Sequence, residues 1–377
     1  MAQQNFPLDR GAPPVDVIPA PLPADQYSDP FQLQVEMKKI WATGWIFVGP
    51  RHHFPTTAGY TPITVAGQPI LITYHDEQLK AFYNVCAHRG CQLTETAAYE
   101  RNSLSCPYHA WVYGIDGNLR SARDFSGAGS NNVPPSGDKV TALTPVSIDT
   151  WLDFVFINLD SQAMPLAEAL KPITKRWKHV DFSSLEHVAS IEYNFSANWK
   201  LIVENFLESY HVPFLHKDLN KYSPATGRYQ VQLANNINGI GTQPYEGVSI
   251  DNKPLPQWPS EENINYAEYF NASPNFLLGF MPDHLFAWSL EPDGPNHTKE
   301  VLHFYFPANS ATDPQFEEHR RITLERWRNV NDEDHDIVQK MHHGLASGAL
   351  KKAQLSPVME RNILRFQNHI LDETQGE

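Results

Sequence analysis

Cysteine is scarce in this chain. Its 377 residues hold three, Cys86, Cys91 and Cys106, too few for a disulfide framework. Basic residues are in deficit: 29 Lys and Arg against 43 Asp and Glu leave a net charge of −14. That balance argues against nucleic acid and anionic membranes as partners, and suits small molecules or basic patches on other proteins. No stretch approaches the roughly 20 apolar residues of a membrane span. The opening Met1-Ala2-Gln3-Gln4-Asn5 has no basic segment leading into an apolar run, so no secretory signal is expected. Internal repeats and low-complexity tracts are missing too. Together the absences predict a soluble protein of the reducing cytoplasm.

What is present is enough for two folded domains, because single cores rarely grow beyond about 250–300 residues. Hydrophobic residues make up 41% and aromatics 12%. Residues 1–43 read as an N-terminal arm, proline-rich over 11–30 (Pro13, Pro14, Pro19, Pro21, Pro23, Pro30), followed by a short helix over Phe31–Ala42. Residues 44–160 read as a small all-β domain. Its strands are expected at 67–74, 79–83 and 151–157, with a tight hairpin at Gly114-Ile115-Asp116-Gly117-Asn118. Residues 161–377 mix helix and strand. Helices are expected over Asn198–Tyr210 and Pro314–Leu345, and strands at 228–234, 276–290 and 299–306.

Two short motifs carry metal-ligand chemistry: Cys86-x-His88 and Cys106-x-x-His109. Two thiolates and two imidazoles suit a tetrahedral zinc, or a [2Fe–2S] cluster with cysteines on one iron and histidines on the other. A C-x-x-C zinc knuckle is absent. The loops read Cys86-Ala87-His88-Arg89-Gly90 and Cys106-Pro107-Tyr108-His109-Ala110-Trp111, and closely resemble the two cluster-binding loops of the Rieske family, which implies the cluster. Cys91 reads as a small residue packed beside the first loop rather than as a ligand.

A second constellation lies in Asn198–His216. Asn198 is a good N-cap for the helix that follows. At about 100° per residue, Glu204, Glu208 and His211 share one helix face. His211 and His216 would diverge by about 140° on a continuous helix, but Pro213 stops it and lets His216 return from a loop. Two histidines and one carboxylate form the ligand set of non-haem Fe(II) oxygenases. Asp332, Glu333, Asp334 and Asp336 are the candidates for the carboxylate. Asp334 sits inside the apolar stripe of Trp327, Val330, Ile337, Val338 and Met341, where a lone carboxylate is costly unless bound or paired. Asp332 ranks second.

These motifs closely resemble those of the oxygenase (α) subunit of Rieske non-haem iron ring-hydroxylating oxygenases, over nearly the whole chain. The string Asn198-Trp199-Lys200 … Glu204-Asn205 … Glu208 … Tyr210-His211 … His216 is similar to the family's mononuclear iron motif. Glu333-Asp334, followed by Gly344-Leu345, is similar to the stretch that carries its third ligand. The resemblance implies an α+β chain. An N-terminal all-β Rieske [2Fe–2S] domain holds its cluster on Cys86, His88, Cys106 and His109. A C-terminal helix-grip domain, an antiparallel sheet around a long helix, holds Fe(2+) on His211, His216 and Asp334. It implies a homotrimer in which Glu208 bridges a cluster histidine of one subunit to an iron histidine of the next. Glutamate there leans toward the choline, glycine betaine and carnitine monooxygenase branch.

The implied activity is hydroxylation or oxidative N-demethylation of a small organic substrate. It uses O2 and NAD(P)H electrons from a flavin or ferredoxin-type reductase, passed through His109, Glu208 and His211. Three other readings stand beside it: an aromatic-ring dihydroxylating dioxygenase, a Rieske electron carrier fused to a helix-grip ligand-binding domain, and a zinc-stabilised binding protein. Pocket residues are expected from parts of 220–250 and 276–290. Phe276, Phe280, Phe286 and Trp288 alternate along a strand and read as plain core before they read as a cage for a quaternary ammonium. His284 beside Asp283, and the pairs His52-His53 and His342-His343, read as structural or solvated.

Overall fold

The computed structural model describes residues 16–130, 142–245 and 257–375. Pro13, Pro14 and the 246–250 part of the expected pocket region lie outside them. The chain divides into two compact units. One spans Trp41–Leu166, and the other joins the described residues up to Ile40 with those from Ala167 onward. Among the described residues, no helix is long and apolar enough to cross a membrane.

The Trp41–Leu166 unit is all β. Its strands are β1 (Ile46–Pro50), β2 (Gly59–Val65), β3 (Gln68–His75), β4 (Gln78–Tyr83), β5 (Ala98–Tyr99), β6 (Ser103–Ser105), β7 (Val112–Gly114), β8 (Leu119–Ser121), β9 (Pro145–Trp151) and β10 (Phe154–Asn158). Seven form one antiparallel sheet in the order β1-β10-β9-β4-β3-β2-β5, and β6-β7-β8 form a smaller one. The expected hairpin at 114–118 joins β7 to β8. The strand expected over 151–157 is instead two strands joined by a turn. Leu152 takes φ 54°, a left-handed conformation that a strand interior does not accommodate, and Trp151 pairs with Phe154.

The second unit is built on one seven-stranded antiparallel sheet. Its strands are β11 (Leu185–Phe195), β12 (Arg228–Ala234), β13 (Ile237–Thr242), β14 (Ala267–Ala272), β15 (Phe276–Phe280), β16 (Leu285–Pro292) and β17 (Thr298–Pro307), in the order β11-β17-β16-β15-β14-β13-β12. The span expected as one strand over 276–290 is thus a hairpin, β15-β16, turned at Met281–His284. Its helices include α1 (Pro30–Glu36), α2 (Trp199–Phe206), the single turn α3 (Val212–Leu215), the long α4 (Glu317–Ala346) and α5 (Arg361–Gln375).

The proline-rich arm is more folded than its composition suggests. Ile18-Pro19 pairs with Gln354-Leu355, and Ala20, Leu22 and Tyr27 are buried. Asp29 caps α1, which widens into a π turn over Met37–Trp41. A fully buried ion pair then ties this segment to α2. Lys200 donates to Glu36 at 2.7 Å and to the Gln26 carbonyl, while Trp199 Nε1 donates to the other Glu36 oxygen at 2.9 Å. Such a pair is tolerated because nearly every polar atom in it is satisfied.

The α2 helix corrects the most consequential expectation. It ends at Phe206, not Tyr210. Proline inside a helix clashes with the carbonyl four residues back and is tolerated only in the first turn. Pro213 therefore begins α3 and cannot share a helix with Ser209. Glu208 reinforces the break, its carboxylate accepting from the backbone N–H groups of Tyr210 and His211.

Candidate metal centres

In the β unit the two Cys/His loops sit on one core. Cys86 and Cys106 are buried among Leu71, Leu93, Leu104, Trp111 and Tyr113. Each loop closes on itself: Cys86 N–H donates to the Cys91 carbonyl and Gly90 N–H to that of Cys86, while Cys106 N–H donates to Trp111 and Ala110 N–H to Cys106. Cys91 lies half-buried against the same core. Burial pushes the thiols of Cys86 and Cys106 up. For Cys106 the opposing N–H groups of Tyr108 and His109, with the neighbouring thiols, win and hold it below the ordinary cysteine value. Cys86 stays raised despite bonds from Tyr113 and the His88 N–H. The Tyr113 hydroxyl lies 3.3 Å from Cys86 Sγ and accepts from Ala87 N–H, which leaves its own proton for the sulfur.

The two imidazoles lie toward solvent. His88 and His109 rings are 4.8 Å apart, His88 stacks on Trp111, and His109 is exposed. A tetrahedral zinc would draw all four ligand atoms within roughly 4 Å of one another. Among the described residues, the set of three or more His, Cys, Asp or Glu whose ligand atoms all lie within 4.8 Å of one another is elsewhere. A sulfur pair inside and an imidazole pair outside fit a two-iron cluster better than one ion.

That other set is His211, His216 and Asp334. The two histidines bracket α3, each outside its regular turn, so they escape the helical divergence and their rings meet at 4.9 Å. His216 Nε2 lies 2.9 Å and His211 Nε2 3.7 Å from one Asp334 oxygen. Each Nδ1 is taken by a different carboxylate: Glu208 holds His211, and Glu333 holds His216 at 2.6 Å. Carboxylates on Nδ1 fix both tautomers and turn both Nε2 atoms toward Asp334, the arrangement that metal-bound histidines would require. Burial lowers the His216 pKa, but Asp334 and Glu333 outweigh it and leave it raised. A metal ion on Nε2 would take the place of that proton.

The sequence's candidates separate cleanly. Asp334 is buried, whereas Asp332 is exposed and accepts from Tyr193, and Asp336 pairs with Lys340 at the surface. Glu204 leaves the expected face altogether. It accepts from Tyr27 and Gln367 in the buried arm network, where burial pushes it up to about 7. Glu333, expected only as one candidate for the metal carboxylate, instead holds His216 Nδ1. A half-exposed side chain beside Asp334 looks solvated until the fold brings His216 to it.

The set opens on a cavity between the sheet and α4. Its wall is aromatic: Phe206, Tyr269, Phe286, Trp288 and Trp327. Phe286 stacks on Trp288 at 4.8 Å and meets Trp327 edge-on at 4.7 Å. Gly279 makes room for this, since a Cβ there would lie 2.2 Å from the Phe286 ring. The four aromatics read as core therefore divide by strand alternation. Phe286 and Trp288 face the cavity, while Phe280 packs on Trp177 and Phe182, and Phe276 does not line the cavity. Trp327 is held from behind, donating to His284 Nε2 at 2.7 Å, and His284 Nδ1 donates to buried Asp283. Arg228 ties the histidine segment down, donating to the carbonyls of Ser209 and Ser223 and to Asn220.

A family model of the ring-hydroxylating α subunit catalytic domain matches residues 182–376, and one of the Rieske [2Fe–2S] domain matches 44–131. The chain belongs to the ring-hydroxylating α-subunit family. This Rieske oxygenase component is 28% identical to the carnitine monooxygenase oxygenase subunit of Escherichia coli K12, over 92% of each chain. It is 27% identical to the chloroplastic choline monooxygenase of Spinacia oleracea, over 91% of this chain and 76% of the relative. The quaternary ammonium Rieske monooxygenase CntA, solved with L-carnitine, shares its fold at TM-score 0.75 and 24% identity, over 95% and 96% of the two chains. The Rieske oxygenase is an oxidoreductase with a [2Fe–2S] cluster and a mononuclear iron, as its motifs imply. Membership sets aside both the zinc-stabilised binding protein and the electron carrier without iron chemistry.

Proposed function

We propose that this chain is the oxygenase component of a monooxygenase that hydroxylates, and thereby can N-demethylate, a small quaternary ammonium compound. The carrying observation is the His211, His216 and Asp334 set at the end of an aromatic-walled cavity. Aromatic faces attract a quaternary ammonium, which has no N–H to donate. The named relatives acting on carnitine and choline point the same way.

In this reading Cys86, His88, Cys106 and His109 hold the cluster, and His211, His216 and Asp334 hold Fe(2+). When bound, the cluster supplies single electrons and the iron supplies O2 activation. The protein's own residues do the rest. Glu208 and Glu333 keep a proton on each Nδ1, so both Nε2 atoms stay available. Phe286, Trp288 and Trp327 keep water from the reacting carbon. Glu208 already binds His211 and two backbone amides, yet a carboxylate has about four acceptor positions. Exposed His109 of a neighbouring subunit is the donor we assign to the remaining one, which calls for a homotrimer. The partner is a flavin or ferredoxin-type reductase drawing on NAD(P)H, and the setting a reducing cytoplasm.

The test is O2 uptake by reductase-coupled protein with choline, glycine betaine, carnitine and a set of aromatic acids. Uptake matched by product from a trimethylammonium compound is the expected result. Uptake with aromatic acids alone, yielding diols, would replace this reading with a dioxygenase.

A further inference from the structure

Three carboxylates line the cavity, and two are committed: Glu208 to His211, and Asp334 to the histidine pair. Glu300 is the third. It stands on β17 between Tyr193 of β11 and Leu290 of β16, with no solvent exposure. One oxygen, Oε2, accepts from Asn331 Nδ2 at 2.8 Å. The other, Oε1, has no hydrogen-bond partner, and among the described residues no Lys, Arg or His forms an ion pair with Glu300.

A buried carboxyl oxygen without a partner is costly, and more so when ionised. A neutral side chain there would avoid that cost, so the open oxygen calls for a ligand. Asn331 lies three residues before Asp334 on α4, so the amide that orients Glu300 shares a helix face with the metal-site carboxylate. Trp288, Phe286 and Trp327 line the same cavity. A carboxylate and aromatic faces around one volume make a site for a cation.

Building on the trimethylammonium reading, we propose that Glu300 is the counter-ion for the substrate's ammonium group and sets the preference for a cation over its neutral isostere. Burial, with the charge of Asp334 added, pushes the Glu300 carboxyl up to about 8 despite the Asn331 bond, as expected of an acid that lacks its counter-ion.

Choline and 3,3-dimethylbutan-1-ol, in which carbon replaces the charged nitrogen, separate charge from shape. Binding to the iron-loaded protein is read without turnover, by quenching of tryptophan fluorescence and by calorimetry under anaerobic conditions. Wild type should bind choline at least tenfold more tightly than the isostere. Glu300→Gln, which can still accept from Asn331, should lose at least tenfold for choline and less than twofold for the isostere. Its melting temperature and iron content report whether it folds. Should it not, Glu300→Asp carries the test, and should still prefer choline over the isostere by more than threefold. Equal losses for both ligands, or no loss for either, would overturn the role of Glu300 alone. A wild type that binds neither choline, glycine betaine nor carnitine would overturn the substrate reading beneath it, and this role with it.

Discussion

The two metal centres are built in opposite ways. The two Cys/His loops lie within residues 86–111, and each closes through hydrogen bonds inside its own turn. The proposed iron set joins His216 to Asp334 and Glu333, 118 and 117 positions away. A local centre is written out where it stands, so its motif carries the geometry. A distributed centre depends on where helices stop and which faces meet, and only part of that is visible in a motif.

The comparison breaks most sharply if damage crosses from one centre to the other. Cys86→Ser should abolish the visible spectrum of the cluster and all turnover, yet leave mononuclear iron bound. His216→Ala should leave the cluster reducible and cut product formation by more than about 100-fold, because a first ligand matters more than the outer partners whose loss costs roughly 10–100-fold. Iron analysis with absorption spectra checks both. Loss of both metals in either variant would mean that the centres fold as one unit.

Glu204 sharpens the comparison by its distance in role from Glu208. Its folded pKa, about 7, stands above the ordinary carboxylate value. Its contribution to stability is therefore complete below about pH 4.5 and is lost as pH rises through 7. Relative to Glu204→Gln, the wild type should lose on the order of 3 kcal/mol between pH 4.5 and 8, measured by denaturant melts, with iron content equal in the two. A pH-independent difference, or lost iron, would return Glu204 to the metal site.

Glu333→Gln should weaken iron binding by roughly 10–100-fold with the cluster untouched, as read by iron titration. Unchanged affinity would reduce Glu333 to a surface acid. Tyr113→Phe has the smallest expected effect. Removing one hydrogen bond to sulfur, about 1 kcal/mol, should lower the one-electron cluster potential by on the order of 40 mV. A potentiometric titration checks it, and an unchanged potential would mean that the hydroxyl does not bond the sulfur.

Legibility followed the same division. The cluster turns, the phase of Asp334 on α4 and the all-β character of the first unit could be read directly, because each rests on local spacing. The stop of α2 at Phe206 was not: the clash of Pro213 reaches back only to Ser209, three residues past the stop. Strand β11 hid its period-two pattern behind a bulge between His187 and Ala189, which shifts every later side chain to the other face. Strand β13, Ile-Asn-Gly-Ile-Gly-Thr, has too little strand propensity to stand out. Glu333, Tyr113 and Glu300 act through neighbours on other elements, and one chain of letters does not show those neighbours.

The central claim is that one chain carries two separable iron centres, with Asp334 belonging to the second alone. Iron content and cluster absorption of Asp334→Ala test it most directly. Iron should fall from about three atoms per chain to about two, with the cluster spectrum unchanged. Iron that stays at the wild-type level, or a cluster lost along with it, would contradict the account.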